Sequence, residues 1–151
     1  CAHKTDIQIS KLTLFDTFGP FDDRNKIVDL IIKSAKSPLK LNVPQQLINL
    51  SYSKDICSAI ECALRLNTTK PCVDEYMVRS NKDVSLYELV GLIEDILQQK
   101  LNIEFGNLEP QDSFVPETRI PLVPRWKQKY SLTDGLVDKI NLESSRNDHW
   151  G

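Results

Sequence analysis

Leu12-Thr13-Leu14-Phe15-Asp16-Thr17-Phe18-Gly19-Pro20 is the stretch whose reading decides the fold. Its apolar residues predict a short buried strand, and Gly19-Pro20 predicts the sharp turn that ends it. Such a strand normally closes a parallel sheet whose other strands come earlier in the chain. Only about a dozen residues precede it here. Most of the sheet is therefore expected to be missing or borrowed, and the chain is expected to be the C-terminal part of a larger protein.

Cys1 to Lys4 read as the last turn of a helix begun upstream, and Ile7, Ile9 and Leu12 to Phe15 as the first strand. Gly19 to Asn25 is a loop, followed by a helix over Lys26–Lys36 with Ile27, Leu30, Ile31 and Ala35 on one stripe. Leu39–Leu41 and Gln46–Tyr52 read as strands. Ser53 is the expected N-cap of a helix running to about Leu66 that buries Ile56, Ala59, Ile60, Ala63 and Leu64, with Asp55 in the first turn where the helix dipole favours a carboxylate. Asn67 to Pro71 ends it, and Glu75–Arg79 is the next strand. Ser85 with Glu88, and Ser131 with Asp134, have capping-box spacing at the starts of two further helices. Between them lie a strand over Asn102–Phe105 and an arm holding Pro110, Pro116, Pro121 and Pro124, whose Ile120, Leu122, Val123 and Trp126 need burial. Residues beyond about Asn141 read as frayed. Short strands alternating with about four helices give an α/β fold.

The 151 residues carry 19 basic and 21 acidic side chains, a net charge of -2. That balance argues against a nucleic-acid or membrane-surface partner, and no apolar run reaches the roughly 20 residues of a membrane span. Cys57 and Cys62 share a helix but point about 140° apart, so they do not pair. The four cysteines read as reduced, partly buried thiols in a cytoplasmic protein. His3 and His149 lie too far from them and from each other for zinc, so no metal is expected. Cys1 is followed within about ten residues by a strand pattern, not by the polar tether of a lipoprotein; a cut or chain boundary is the expectation there.

No Gly-rich phosphate loop, no G-x-S-x-G elbow and no Ser/His/Asp set is present. Asp22 and Asp23 are adjacent in a loop and read as solvated, so no catalytic residue is assigned. Two segments read as binding surface. The loop after the first strand, with Asp16, Thr17, Arg24 and Lys26, falls beyond a strand's carboxyl end, where open α/β sheets bind ligands; alternatively Arg24 and Lys26 merely neutralise Asp22 and Asp23. Arg119, Arg125, Lys127 and Lys129 occur without an intervening acid, and with Trp126 such a segment suits a diphosphate and a base; alternatively it is a solvated basic arm.

Four landmarks, in order and covering nearly the whole chain, carry a resemblance. Leu12 to Pro20 resembles "R-x-F-N-x-Y-G-P", Gln46 to Ile56 resembles "Y-V-x-D-V", Tyr76 to Val90 resembles "Y-N-V-G-S-G-x-x-x-S-L-x-E-L-V", and Pro121 to Leu136 resembles "P-x-x-P-x-W-x-x-x-x-S-L-x-x-G-L". These belong to the extended short-chain dehydrogenase/reductases, the NAD(P)-dependent nucleotide-sugar epimerases, dehydratases and reductases. The wording "LFDTFGPFDDRNK" is closest to bacterial sugar reductases that make dideoxyhexoses for surface polysaccharide.

The resemblance implies the C-terminal substrate-binding part of an extended Rossmann-type reductase. Residues 1–18 would end the Rossmann domain, 19–144 would form a sugar-nucleotide-binding domain, and 145–151 a frayed tail. It implies NAD or NADP, bound mainly by a missing N-terminal part that holds the Gly-rich loop and the Tyr-x-x-x-Lys pair. Phe15, Asp16 and Thr17 would lie near the cofactor, and Arg24, Lys26, Arg119, Arg125 and Trp126 near the nucleotide sugar. A homodimer is among the assemblies it allows. The family's Arg, Asn and Tyr in the first landmark are Thr13, Asp16 and Phe18, and the basic residue before the second is Ile48. These departures leave two rivals: a diverged ligand-binding or sensing member without turnover, and a self-contained interaction domain.

Overall fold

In a computed structural model of the chain, which describes residues 9–22, 24–66, 73–110 and 120–147, the first apolar stretch forms two strands rather than one. These are β1 (Ile9–Leu14) and β2 (Asp16–Phe18), followed by α1 (Ile27–Lys33), β3 (Leu39–Leu41), β4 (Leu47–Ile48), β5 (Leu50–Tyr52), α2 (Ser53–Leu64), β6 (Val73–Val78), β7 (Val84–Ser85), α3 (Leu86–Leu97), β8 (Ile103–Phe105) and α4 (Leu132–Asn147). The expected α/β alternation of short strands with four helices holds. The turn expected at Cys1–Lys4, Ile7, the stop at Asn67–Pro71, Cys72, Pro116, both histidines and residues 148–151 lie outside the described residues.

Phe15 is the joint. β1 runs parallel to β6, with Ile9 opposite Val73 and Leu14 opposite Val78, whereas β2 runs parallel to β5, with Asp16 opposite Leu50. β3 pairs with β8 in parallel and β4 with β7 in antiparallel. On the far side of β6, the Met77 N–H donates to Pro121 O at 2.9 Å and Leu122 bridges Met77, so the proline-rich arm adds a third line to that sheet. Among the described residues β1 pairs only with β6, so its other edge is open. Exposed Ile9 and Val73 stand side by side at that end of the sheet. Because β1 and β6 share one sheet, residues on both sides of position 18 form a single layer.

Two cores result. In the larger, α1, α3 and α4 pack over β2 and β5 through Val28, Ile31, Leu89, Val90, Ile93 and Leu136. In the smaller, α2 lies on β1 and β6 through Ile56, Ala59 and Ala63, closed by Val123 and Trp126. The expected α2 stripe was too wide: Ile60 is exposed, and Leu64 is 80% exposed at the helix end. Ser53 is not the N-cap but the first helical residue; Tyr52 occupies the cap position with no side-chain cap bond. Both expected capping boxes form, with Ser85 Oγ accepting the Glu88 N–H at 3.1 Å and Ser131 Oγ accepting that of Asp134 at 3.1 Å. Nor does the chain fray at Asn141. The last helix continues to Asn147 because Glu143 is tied back to Lys139, one turn earlier.

Gly135 lets α4 approach the β2–β5 pair closely. A Cβ there would lie 2.8 Å from Phe18 Cζ and 2.9 Å from Tyr52 Cγ. Those rings meet at a 42° tilt with centroids 5.4 Å apart, and the Tyr52 hydroxyl donates to Asp138 on α4, while burial and that carboxylate push the phenol up to about 12. Gly91, in the middle of α3, has nothing within 4 Å of the equivalent position. Urea denaturation should therefore show opposite signs. Gly135→Ala should destabilise by about 1–3 kcal/mol through overpacking, and Gly91→Ala should stabilise by about 0.5–1 kcal/mol through helix propensity.

Candidate functional site

β1 and β6 end together at Leu14 and Val78, and the residues just beyond them meet. The Arg79 guanidinium lies over the half-buried Phe15 ring at 5.4 Å and donates to Asp83 at 2.9 Å. Asn49 completes this group: its amide donates to Asp83 at 2.6 Å and to Ser80 O at 3.0 Å, and accepts the Ser80 N–H at 2.9 Å. The buried amide explains why the strand expected over Gln46–Tyr52 divides into β4 and β5. Asn49 is turned away to satisfy the end of β6.

Lys26 precedes the first turn of α1. Its ammonium donates to Thr17 O at 3.0 Å and Thr17 Oγ1 at 2.8 Å, and lies 4.0 Å from an Asp22 oxygen. Thr17 and Lys26 line a cavity of ≈ 350 Å³ with Asp16 and the apolar Ile27, Val28, Ile48, Leu50 and Leu86. Apolar walls around one fixed ammonium are suited to a ligand with a flat or apolar portion and an anionic group. Asp16, Thr17 and Lys26 thus line one cavity.

Arg24 belongs to the opposite side of Thr17. It grips Asp22 through two bonds of 2.8 and 2.9 Å, and lines a second cavity of ≈ 520 Å³ with Phe21, Ser53 and the free thiol Cys57. The Arg24 hydrogen bonds hold the Asp22 carboxyl down at about 2. Asp23 and Arg119 lie outside the described residues. Arg125 is exposed at φ 64°, in a left-handed turn, and does not line the Thr17–Lys26 cavity. Trp126 turns inward: it is only 8% exposed, and its indole N–H donates to Asp55 O at 3.1 Å and Ser58 Oγ at 2.9 Å. The ring packs with Val123 into the smaller core, against Ile56, Ala59 and Ala63.

A groove of ≈ 700 Å³ lies between α3 and Gln128–Thr133; of its three carboxylates, Asp83 is engaged by Arg79, Glu88 by Ser85, and Asp95 is the third. Three residues important to the site's geometry carried no functional signal in the sequence: Asn49, Arg79 and the fully buried Lys139. Arg79 stands where the third landmark has Gly, a substitution readable as a departure. Lys139 lies between Leu136 and Ile140 on the packed side of its helix, with Glu143 at the ion-pair spacing.

The Asp22–Arg24 pair makes a pH prediction. A carboxyl whose folded value is depressed adds stability above its ordinary value of 3.8 and loses it as pH falls toward about 2. A carbon-detected NMR titration should find Asp22 titrating near 2, and Arg24→Ala should move its midpoint up toward 3.8.

No family model matches the chain. CDP-abequose synthase of Yersinia pseudotuberculosis is 27% identical over 139 residues, covering 91% of this chain and 48% of that protein. Among solved structures, UDP-glucuronic acid 4-epimerase from Bacillus cereus, in complex with UDP-glucuronic acid and NAD, superposes with a TM-score of 0.73 at 16% identity, covering 93% of this chain and 46% of that one. The dTDP-glucose 4,6-dehydratase of Bacillus anthracis, in complex with NAD, does so with a TM-score of 0.70 at 18% identity over 93% and 46%. The chain spans about half the length of these relatives. The resemblance read from the four landmarks is borne out, and the chain shares the fold of about half of each of these epimerase and dehydratase structures.

Proposed function

We propose that this chain is the sugar-nucleotide-binding portion of an NAD(P)-dependent nucleotide-sugar epimerase, dehydratase or 4-keto-sugar reductase. One observation carries the reading: the Lys26 ammonium, anchored by Thr17, faces a cavity that opens just past the carboxyl end of β1, the side on which open α/β sheets bind ligands. The likeness to CDP-abequose synthase and the fold shared with UDP- and dTDP-sugar enzymes support it. Lys26 takes the diphosphate in this reading, the more so because Ile48 stands where the family carries a basic residue. Ile27, Ile48, Leu50 and Leu86 exclude water around the ligand.

The fit to a dinucleotide is marginal and one-sided. Phe15 is half-buried beneath Arg79, Asp16 is exposed, and the sequence has neither a Gly-rich loop nor a Tyr-x-x-x-Lys pair. Phe15, Asp16 and Thr17 would therefore touch only the nicotinamide end, and the rest of the cofactor would belong to a Rossmann part pairing along the open edge of β1. When bound, NAD(P) supplies hydride exchange with a sugar carbon. This chain's residues hold and orient the sugar nucleotide for that exchange, a contribution of positioning. In this reading the Rossmann sheet includes β6 as well as β1, and the remainder up to residue 144 grips the ligand.

Titration of the full-length protein with CDP-, UDP-, GDP- and dTDP-sugars should find one that binds. Lys26→Met should weaken it about tenfold or more, the cost of one charged hydrogen-bond donor. Exposed Lys127→Met should leave it unchanged. Absence of binding to all four classes, or unaltered affinity in Lys26→Met, would contradict the proposal.

A further inference from the structure

Lys139 is the largest fully buried side chain in the described residues, an unusual place for an ammonium. Three acceptors on three elements surround it: Gly19 O at 3.0 Å in the turn after β2, Asp29 Oδ1 at 2.7 Å on α1, and Glu143 Oε1 at 2.6 Å one turn further along α4. The same Glu143 oxygen accepts the Phe21 N–H at 3.0 Å. Phe21 has φ 61°, left-handed backbone that an aromatic residue keeps only where its surroundings hold it. Burial pulls the Lys139 ammonium down, but its bonds to Asp29 and Glu143 outweigh this and hold it above its ordinary value. It stays charged, so all three tethers persist.

These tethers fall on both flanks of Lys26. On one side, Gly19 and Phe21 fix the turn that leaves Thr17; on the other, Asp29 fixes the first turn of α1. An apolar side chain would fill the same space at less desolvation cost, but it would tie nothing to α4. We propose that Lys139 and Glu143 are positioning residues, through which the last helix holds the Gly19–Asp22 turn and α1 in the arrangement that aims Lys26 and Thr17 into the cavity. The inference rests on reading that cavity as the nucleotide-sugar site. It adds that α4, which lines none of the cavity, controls affinity there.

The test uses the full-length holoenzyme and Glu143→Ala, which keeps the Lys139–Asp29 pair and is milder than removing the buried cation. Hydrogen exchange at the Phe21 amide should accelerate about tenfold, the loss of one bond to a charged acceptor. KM for the nucleotide sugar should rise about fivefold or more while kcat changes less than about twofold. Glu143→Gln, which retains an acceptor, should restore most of both, and Ser145→Ala on the same helix should alter neither. Unchanged exchange at Phe21 overturns the proposal. So does faster exchange with unaltered KM, which makes the cluster merely structural, and so does an equal fall in kcat and kcat/KM. Should the wild-type protein bind no nucleotide sugar, the functional reading fails separately, and Phe21 exchange alone then decides whether α4 holds the turn.

Discussion

A single buried carboxylate ties the last part of this chain to its middle. Asp55, 2% exposed in the first turn of α2, accepts the Lys129 N–H at 2.8 Å and the Tyr130 N–H at 3.2 Å, while its backbone oxygen accepts the Trp126 indole. The helix N-terminus and two converging N–H groups satisfy the buried carboxyl oxygens. Without them, two backbone donors beneath the arm would go unsatisfied. The tie sets where the arm crosses α2, hence where Ser131 starts α4, and hence whether Lys139 reaches Gly19.

The division of labour within the molecule follows from the same geometry. The β1–β6 pair presents an open edge and exposed Ile9 and Val73, whereas the β2–β5 pair is sealed beneath α1, α3 and α4. Parallel sheets are stable when covered on both faces. The candidate cavity lies where these two pairs meet, at Asp16 and Thr17, immediately after the Phe15 joint.

Much of this was legible in the residues. Capping-box spacing located the starts of α3 and α4, because a serine oxygen and a carboxylate three residues later satisfy each other's neighbours locally. Ile56, Ala59 and Ala63, one helical turn apart or nearly so, identified the packed face of α2 for the same local reason. What escaped were features set by distant partners. Asn49 broke a strand pattern to serve Ser80, thirty-one positions away, and Ser53 lost its cap role as α2 began directly from β5. Trp126, beside Arg125 in an arm rich in charge, suggested a ligand contact, yet its indole was taken by Asp55 and Ser58, about seventy positions earlier. Asp55 stood in a recognisable landmark, but nothing along the sequence says that its partners are the amides of Lys129 and Tyr130.

The central claim is that this chain grips an activated sugar through Thr17 and Lys26 while another part of the protein brings the cofactor. A crystal structure of the full-length protein with NAD(P) and its nucleotide sugar tests it most directly. The account predicts a diphosphate oxygen about 3 Å from Lys26 Nζ and a further strand hydrogen-bonded along the free edge of β1. A nucleotide sugar seated instead in the groove between α3 and Gln128–Thr133, or a β1 edge left unpaired in the complete protein, would contradict it.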